Sequence, residues 1–502
     1  MKWAALVKRL GPPALLILVA ALVMVPGLIA DPLVHDSWWI DIVWLDQFAE
    51  LLRGGIVYPR WLPHSFDGLG APVFYFYPPL AFYLGSLFKF AGLSTYSAIL
   101  LCFFVIMAGG ALACWQWLRG WTHRPLLGAL FLLVAPYHLC EFYRRGALAE
   151  ALAAALIPAL ALALQHAATQ RRFGWLAIGY AALILSHLPL ALIASILFIA
   201  PYALWLIWQD RSRIWSIASG LALGLGLAAI FLLPALSLQW AISVHDLWAA
   251  KGLRPESWTI WRMEPGPLWD GMLVMLVISI TIAVSTFILG FRERDFWTVW
   301  TIACSLLAIG IVPYFWALPL LDQVQFPWRS LALAEFGFAT ILARSRAPLV
   351  LTTALILPLL FVSVIYLQPP RSNSGETPAS LLARYPDVTE YLPAGAPRDA
   401  AREIDRTRPR ISTALPVSGR DGITTLGTFY FPSWRMICAG DRTVMPFPSP
   451  QARLLSYRGG GCEPQIAWTK AEVIGGLVSA LSLLVLALLG VRSRRHATVP
   501  MR

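Results

Sequence analysis

Gly11-Pro-Pro-Ala-Leu-Leu-Ile-Leu-Val-Ala-Ala-Leu-Val-Met-Val-Pro-Gly-Leu-Ile-Ala30 runs for twenty residues without a charge, then gives way to Asp31-Pro-Leu-Val-His-Asp-Ser-Trp-Trp-Ile-Asp41. Twenty apolar residues are what a helix needs to cross a hydrocarbon layer of about 30 Å. Lys2, Lys8 and Arg9 precede the run, as they would in a signal peptide cleaved near Ala30. A signal-peptide core is about 7 to 15 residues, so the segment reads instead as a retained first span. The polar stretch after it gathers acids, tryptophans and Pro/Gly turns at the edge of a membrane.

Comparable apolar segments recur near residues 97–118, 125–140, 147–166, 173–186, 188–208, 215–237, 270–290, 296–312, 328–343, 347–367 and 471–491. With 58% hydrophobic and 13% charged residues, the chain cannot solvate so much apolar surface in water. Backbone groups in lipid must be bonded internally, so the spans are helices. The reading is a mostly α, polytopic membrane protein with about twelve transmembrane helices.

The net charge of +12 does not indicate nucleic acid, because the basic residues are scattered in pairs between apolar runs. A cytoplasmic N-terminus puts Arg119/Arg124, Arg171/Arg172, Arg211/Arg213, Arg292/Arg294, Arg344/Arg346 and Arg492/Arg494/Arg495 all inside. Both termini are then cytoplasmic. The parity requires that Leu80 to Ala91, short and containing Lys89, be a juxtamembrane or re-entrant helix. Counting it as a span inverts every later pair.

The outer segments on this topology are 31–96, 141–146, 238–269 and 368–470, the last being the longest. Residues 1–367 form a membrane domain. Between 368 and 470 the chain turns polar, with β-prone runs such as Gly422-Ile-Thr-Thr-Leu-Gly-Thr-Phe-Tyr-Phe431, which predicts a small periplasmic β-rich domain. Residues 471–502 supply a final span and a basic tail. Cys438 and Cys462 both fall in the β-prone region and are a disulfide candidate on an oxidising side. Cys102, Cys114, Cys140 and Cys304 lie in or beside spans as packing residues.

Asp36 is the candidate base. It follows the first span by a few residues and precedes a segment, Trp38 to Arg53, that can form an amphipathic interfacial helix. A carboxylate near cations can take a proton from an attacking hydroxyl; the plainer alternative is an N-cap to that helix. Asp41 lies roughly 140° further round, so the two need not act together, and a divalent metal held by both stays open as a cofactor. His35 assists or merely flanks.

Arg144 and Arg145 sit outside, where the charge rule disfavours them. Guanidinium suits phosphate, but pairing with Glu141 and Glu150 would also account for them. Glu150 opens a span and requires a partner or a wet cavity. Arg329, in Gln323-Val-Gln-Phe-Pro-Trp-Arg-Ser330, is a second phosphate-clamp candidate or the neighbour of an interfacial Trp328. His187 turns the chain between two spans and either bonds substrate or caps a backbone carbonyl. His245, Asp246, Lys251, Arg254, Arg262 and Glu264 line an acceptor entrance or are simply solvated. The chain has no Gly-x-x-x-x-Gly-Lys-Ser/Thr loop and no zinc-spaced cluster, so energy must arrive with the substrate.

The His35-Asp36 loop, Gly54-Gly-Ile-Val-Tyr-Pro-Arg-Trp61, Gly68-Leu-Gly-Ala-Pro72, Phe76-Tyr-Pro-Pro-Leu80, Ser186-His-Leu-Pro189 and Gln325-Phe-Pro-Trp-Arg329 together resemble a bacterial membrane family. It is named after a 6-pyruvoyl-tetrahydropterin-synthase-related domain, a label that does not imply pterin chemistry. The family resembles a branch of the GT-C glycosyltransferase superfamily, and Phe431-Pro-Ser-Trp434 resembles an aromatic strand of periplasmic domains in its relatives. The resemblance implies inverting sugar transfer on the periplasmic side from a polyprenyl-phosphate-linked sugar, with membrane lipid around it. Asp36, less securely Asp41, would be the base, and Arg144, Arg145 and Arg329 would hold the leaving phosphate. His35 stands where the family's paired-acid signature would place an acid. Two other readings remain at this stage: a flippase of a lipid-linked substrate, and a non-catalytic envelope scaffold.

Overall fold

The structure, a computed structural model, describes residues 2–30, 33–243, 253–262, 269–291, 295–312, 314–369, 376–397, 417–418, 422–450 and 452–497. Its helices are α1 (Gly11–Ile29), α2 (Trp38–Arg53), α3 (Leu80–Phe90), α4 (Thr95–Leu118), α5 (Pro125–Arg145), α6 (Leu148–Gln170), α7 (Gly174–Ser186), α8 (Leu188–Gln209), α9 (Ile214–Leu227), α10 (Ala229–Ser237), α11 (Trp269–Gly290), α12 (Phe296–Ala308), α13 (Leu331–Arg344), α14 (Leu349–Tyr366), α15 (Pro378–Arg384) and α16 (Lys470–Ala497).

Among the described residues eight helices are long and apolar enough to cross a membrane, and α9 with α10, bent by 64°, makes a ninth. This corrects the count of about twelve. At about 1.5 Å per residue, α7, α12 and α13 are about 20 Å long and too short. α13 shows why composition misled: every residue from Leu331 to Ala343 is buried, enclosed by α5, α11 and α12. A helix apolar on all sides is read as a span whether lipid or protein surrounds it. Leu80–Phe90 is a short helix of 11 residues, as the parity argument requires.

Contacts between helix termini define two ends of the bundle. At one end the α12 start meets the α13 end through an Asp295–Arg344 ion pair, and the amides of His123 and Arg124 donate to the Ala343 carbonyl. At the other end lie the end of α5, the start of α6, the α7–α8 turn and the residues leading into α13. That end carries a cap.

The cap is built on α2. Trp38, Asp41, Ile42, Val43, Trp44, Leu45, Gln47, Phe48 and Ala49 are all buried, so α2 is an inner strut and not the amphipathic surface helix its spacing suggested. Asp46 ties it to α3, α4 and the residue after α15, accepting from Lys89 Nζ at 2.5 Å, Thr95 Oγ1 at 2.7 Å and Tyr385 OH at 2.8 Å. Trp44 Nε1 donates to Asp387 at 3.1 Å.

Among the described residues seven strands close the cap: β1 (Val417–Ser418), β2 (Ile423–Phe429), β3 (Trp434–Cys438), β4 (Arg442–Val444), β5 (Phe447–Pro448), β6 (Leu454–Arg458) and β7 (Cys462–Ile466). They form two antiparallel sheets, ordered β1-β2-β6-β5 and β4-β3-β7. Cys438 and Cys462 are cross-strand partners on β3 and β7 and are joined by a disulfide. The sheets dock on the loop before α3: Phe429 N donates to the Leu69 carbonyl at 2.8 Å, and Trp61 packs edge-on to Trp434 with centroids 5.2 Å apart. Arg60 forms a buried ion pair with Glu472, at the start of α16.

Gly70 makes that docking possible. Its φ is +82°, and a Cβ there would lie 2.4 Å from Trp61 Nε1. Gly70→Ala is expected to cost more than about 1 kcal/mol and to speed protease cleavage between the loop and the sheets. Thermal unfolding in detergent with limited proteolysis checks this; an unchanged melting temperature and cleavage rate would contradict it.

Candidate functional site

The centre of the capped end is the carboxylate of Glu150, in the first turn of α6 and 1% exposed. Arg145 Nη1 donates to Glu150 Oε2 at 2.7 Å and to both oxygens of Glu141 at 2.7 and 2.8 Å. Arg329 Nε reaches both Glu150 oxygens at 3.1 Å, while its Nη1 donates to the Val324 carbonyl at 2.6 Å and to Gln325 Oε1 at 3.2 Å. Tyr137 OH donates to Glu150 Oε1 at 2.5 Å. Rings cover the guanidinium faces: Trp328 lies 4.7 Å from Arg145 and Phe326 4.8 Å from Arg329. Two cations thus balance two anions, each hydrogen-bonded, which is the condition for burying charge without a large penalty.

Local backbone geometry delivers these groups. The last turn of α5, Glu141–Arg145, widens into a π-helix and ends at Gly146 with φ +66°; such widenings recur at functional positions. A Cβ on Gly146 would stand 2.2 Å from Trp38. On the other side, Gln325 takes a left-handed φ of +62° and Pro327–Ser330 forms a tight turn that points Arg329 inward. His187 Nε2 stands 3.8 Å from Glu150. Burial pushes its imidazole pKa down to about 3, so it faces that carboxylate neutral.

The loop carrying Asp36 rests on the outer side of the π-turn. Ser37 N donates to the Arg145 carbonyl at 2.8 Å, His35 Nε2 is 3.1 Å from the Tyr143 carbonyl, and Trp38 Nε1 donates to the Phe142 carbonyl at 3.0 Å. Asp36 is held with φ +48°, its side chain exposed and accepting from Ser37 Oγ at 3.2 Å. It does not cap α2; Ser37 occupies that position. Burial lowers the His35 pKa, leaving a neutral ring beside Asp36.

The predicted residues therefore separate into two layers. His35, Asp36 and Arg144 form the outer one. Arg144 donates to the Ile365 carbonyl at 2.9 Å and lies over Tyr366 at 5.6 Å. Arg145, Glu150, His187 and Arg329 form the inner one. The guanidinium groups of Arg145 and Arg329 are paired with carboxylates: for Arg145 these are the expected Glu141 and Glu150, and for Arg329 the partner is Glu150, which its local sequence did not indicate. Asp41 also lies inside, 2% exposed. Its Oδ2 accepts from Leu148 N at 3.1 Å, capping α6 from a neighbouring helix. Burial raises its pKa to about 8. Arg254 and Arg262 lie on the described part of loop 238–269; His245, Asp246, Lys251 and Glu264 lie outside the described residues.

Among the described residues no three His, Cys, Asp or Glu side chains gather as ligands, and Asp41 already spends an oxygen on the α6 amide.

Sequence reasoning missed Glu335. It is fully buried in α13 and accepts from Tyr137 N at 2.7 Å and His138 Nδ1 at 2.8 Å. The available signal was an acid within an apolar segment, which is costly without a partner. His138 and Glu141 also form the polar part of an otherwise apolar crevice between α4, α5 and α6, lined by Phe103, Ile106, Leu132 and Ala154.

Asp41 gives a pH prediction. Its folded pKa, about 8, exceeds its unfolded value, so the native state holds a proton that the unfolded state releases. Its contribution is complete at acid pH and is lost as pH rises through 8. Between pH 6 and 9 the melting temperature of the wild type should fall more than that of Asp41→Asn; parallel pH profiles would contradict the assignment.

The description "6-pyruvoyl-tetrahydropterin synthase related domain; membrane protein" belongs to the family whose model matches residues 74–369. No curated protein matches the sequence. Two cryo-EM structures of the arabinofuranosyltransferase AftD from Mycobacteria, one of a mutant, are similar at 16% identity with TM-scores of 0.44 and 0.47. Each match covers 72% of this chain but 27% and 28% of theirs, so the chain spans about a quarter of the length of those structures.

Proposed function

The chain belongs to the 6-pyruvoyl-tetrahydropterin synthase related family of membrane proteins, and from that premise we propose that it is a membrane glycosyltransferase of the GT-C kind. Its donor is a sugar on a polyprenyl-phosphate-type lipid, its acceptor an envelope hydroxyl, and the capped end faces the periplasm of a bacterial inner membrane. The observation that carries this reading is the placement of Asp36, an exposed carboxylate with a left-handed backbone, fastened through Ser37 N to the π-turn that bears Arg144 and Arg145.

The residues fit the steps of inverting transfer. Asp36 takes the proton from the acceptor hydroxyl as its oxygen attacks the anomeric carbon, and the bond from that carbon to the phosphate oxygen breaks. Arg144, at the surface and close enough to act electrostatically on His35, offsets the charge on the departing lipid phosphate. Asp41, mostly protonated at neutral pH, is not the base. Arg145 and Arg329 act beneath the surface by holding the π-turn in place.

A flippase is the second reading. Buried charges shared by several helices, together with the 64° break between α9 and α10, are features transporters use. The chemistry separates the two. General-base help is worth about 10² to 10⁴ in rate, so Asp36→Asn should cut transfer of radiolabelled sugar from a polyprenyl-phosphate donor in proteoliposomes by at least about 100-fold, with an unchanged melting temperature. Full transfer by the variant would remove Asp36 as base; translocation of the intact donor by both proteins, without transfer, would establish the flippase.

A further inference from the structure

The opposite end of the bundle holds a second pocket that the proposed chemistry does not use. It is a cavity of about 350 Å³ lined by Trp121, His123, Trp205, Asp295, Trp297 and Arg344. That volume lies within the range of small-molecule sites, about 300 to 1,000 Å³. Four separate stretches of chain build it: the turn after α4, the end of α8, the start of α12 and the end of α13. The capped site lies at the far end of α5, 21 residues away along that helix, or about 30 Å.

The lining is of two kinds. Trp121 and Trp205 supply aromatic surface, the best side-chain surface for a cation, with the buried Trp297 behind them and the Arg344 guanidinium 5.7 Å from the Trp121 ring. The polar wall is a pair, Arg344 bound to Asp295, and Asp295 is fixed in turn by its N-cap bond to Thr298 N at 3.2 Å. His123 accepts from Arg346 Nε at 2.9 Å, placing a second guanidinium behind the imidazole. Tryptophan at the end of a membrane helix is often only an interfacial anchor. Trp215, 80% exposed at the start of α9, is of that type. Trp297 is not: it is 3% exposed and packs on Trp121 with centroids 6.0 Å apart.

A wall with one carboxylate, one guanidinium, an imidazole and indoles matches a ligand with one cationic and one anionic group a few ångströms apart. Its place at the ends of α4 and α8, both long and apolar enough to cross a membrane, selects a source for such a ligand. The geometry points to a binding site for the headgroup of a zwitterionic phospholipid, its ammonium between Trp121 and Trp205 and near Asp295, its phosphate toward His123 and Arg344, whose pair with Asp295 is partly exposed, unlike the buried Arg329–Glu150 pair. A headgroup seated there links the ends of α4, α8, α12 and α13, joining elements that are distant in sequence. The site does not depend on which reaction the capped end performs.

The test uses the full chain, purified in detergent and titrated with lipid under native mass spectrometry. Three probes are compared: phosphatidylethanolamine, N-acetyl-phosphatidylethanolamine, which keeps the phosphate and loses the cationic amine, and phosphatidylglycerol. The wild type should retain the first about 10-fold more strongly than the other two. Trp121→Leu/Trp205→Leu should abolish that preference, and Trp215→Leu should keep it. The wild-type comparison needs no variant, so it holds if the double substitution does not fold. Equal retention of the three lipids, a preference surviving in the double variant, or an equal loss in Trp215→Leu would each overturn the assignment.

Discussion

The structure turns on one carboxylate, Glu150, that holds two guanidinium groups arriving from positions 145 and 329. Placing an acid at the start of an apolar helix is costly unless its charge is matched and each oxygen bonded. Here Arg145, Arg329 and Tyr137 supply the bonds, and Glu141 takes the remaining positive charge. The consequence is mechanical. Three helices, α5, α6 and α13, have their ends fixed to a single point, and the π-turn at the end of α5 is held in one shape.

That shape supports the outer layer. The Arg145 carbonyl, in the last turn of α5 where carbonyls lack an intrahelical partner, accepts from Ser37, and the Tyr143 carbonyl receives His35 on the same surface. Asp36 is thereby presented on a scaffold and not on a loose loop, a requirement for any group that must meet a substrate repeatedly in one geometry. The cap above is organised by α2, whose Asp46 and Trp44 bind α3, α4 and the 385–387 segment. The β sheets close over it through Leu69 and Trp61.

Much of this was legible in the sequence. The apolar runs, the short helix at Leu80, the β-prone stretch after 422 and the cysteine pair each carry a local signal, in length, period or compartment. The span count was less legible, because α7, α12 and α13 are apolar but too short to cross, and α13 is also enclosed by its neighbours over Leu331 to Ala343. The partners of the charges were least legible. The Arg329–Glu150 bond joins residues 179 positions apart, and nothing local distinguishes a guanidinium awaiting phosphate from one already paired. The same holds for Asp41, whose partner is an amide on another helix, and for Glu335, which disappears among the alanines and phenylalanines of α13.

The central claim is that Glu150 and Arg329 act as one unit on which the capped end rests, and a double-mutant cycle tests it most directly. Breaking a buried pair from one side costs about 3 to 5 kcal/mol, because the other charge is left uncompensated. Unfolding free energies of Glu150→Gln, Arg329→Gln and the double variant should therefore be strongly non-additive, with a coupling of about 2 kcal/mol or more. Additivity within about 0.5 kcal/mol would show that the two residues do not support each other and would contradict the account.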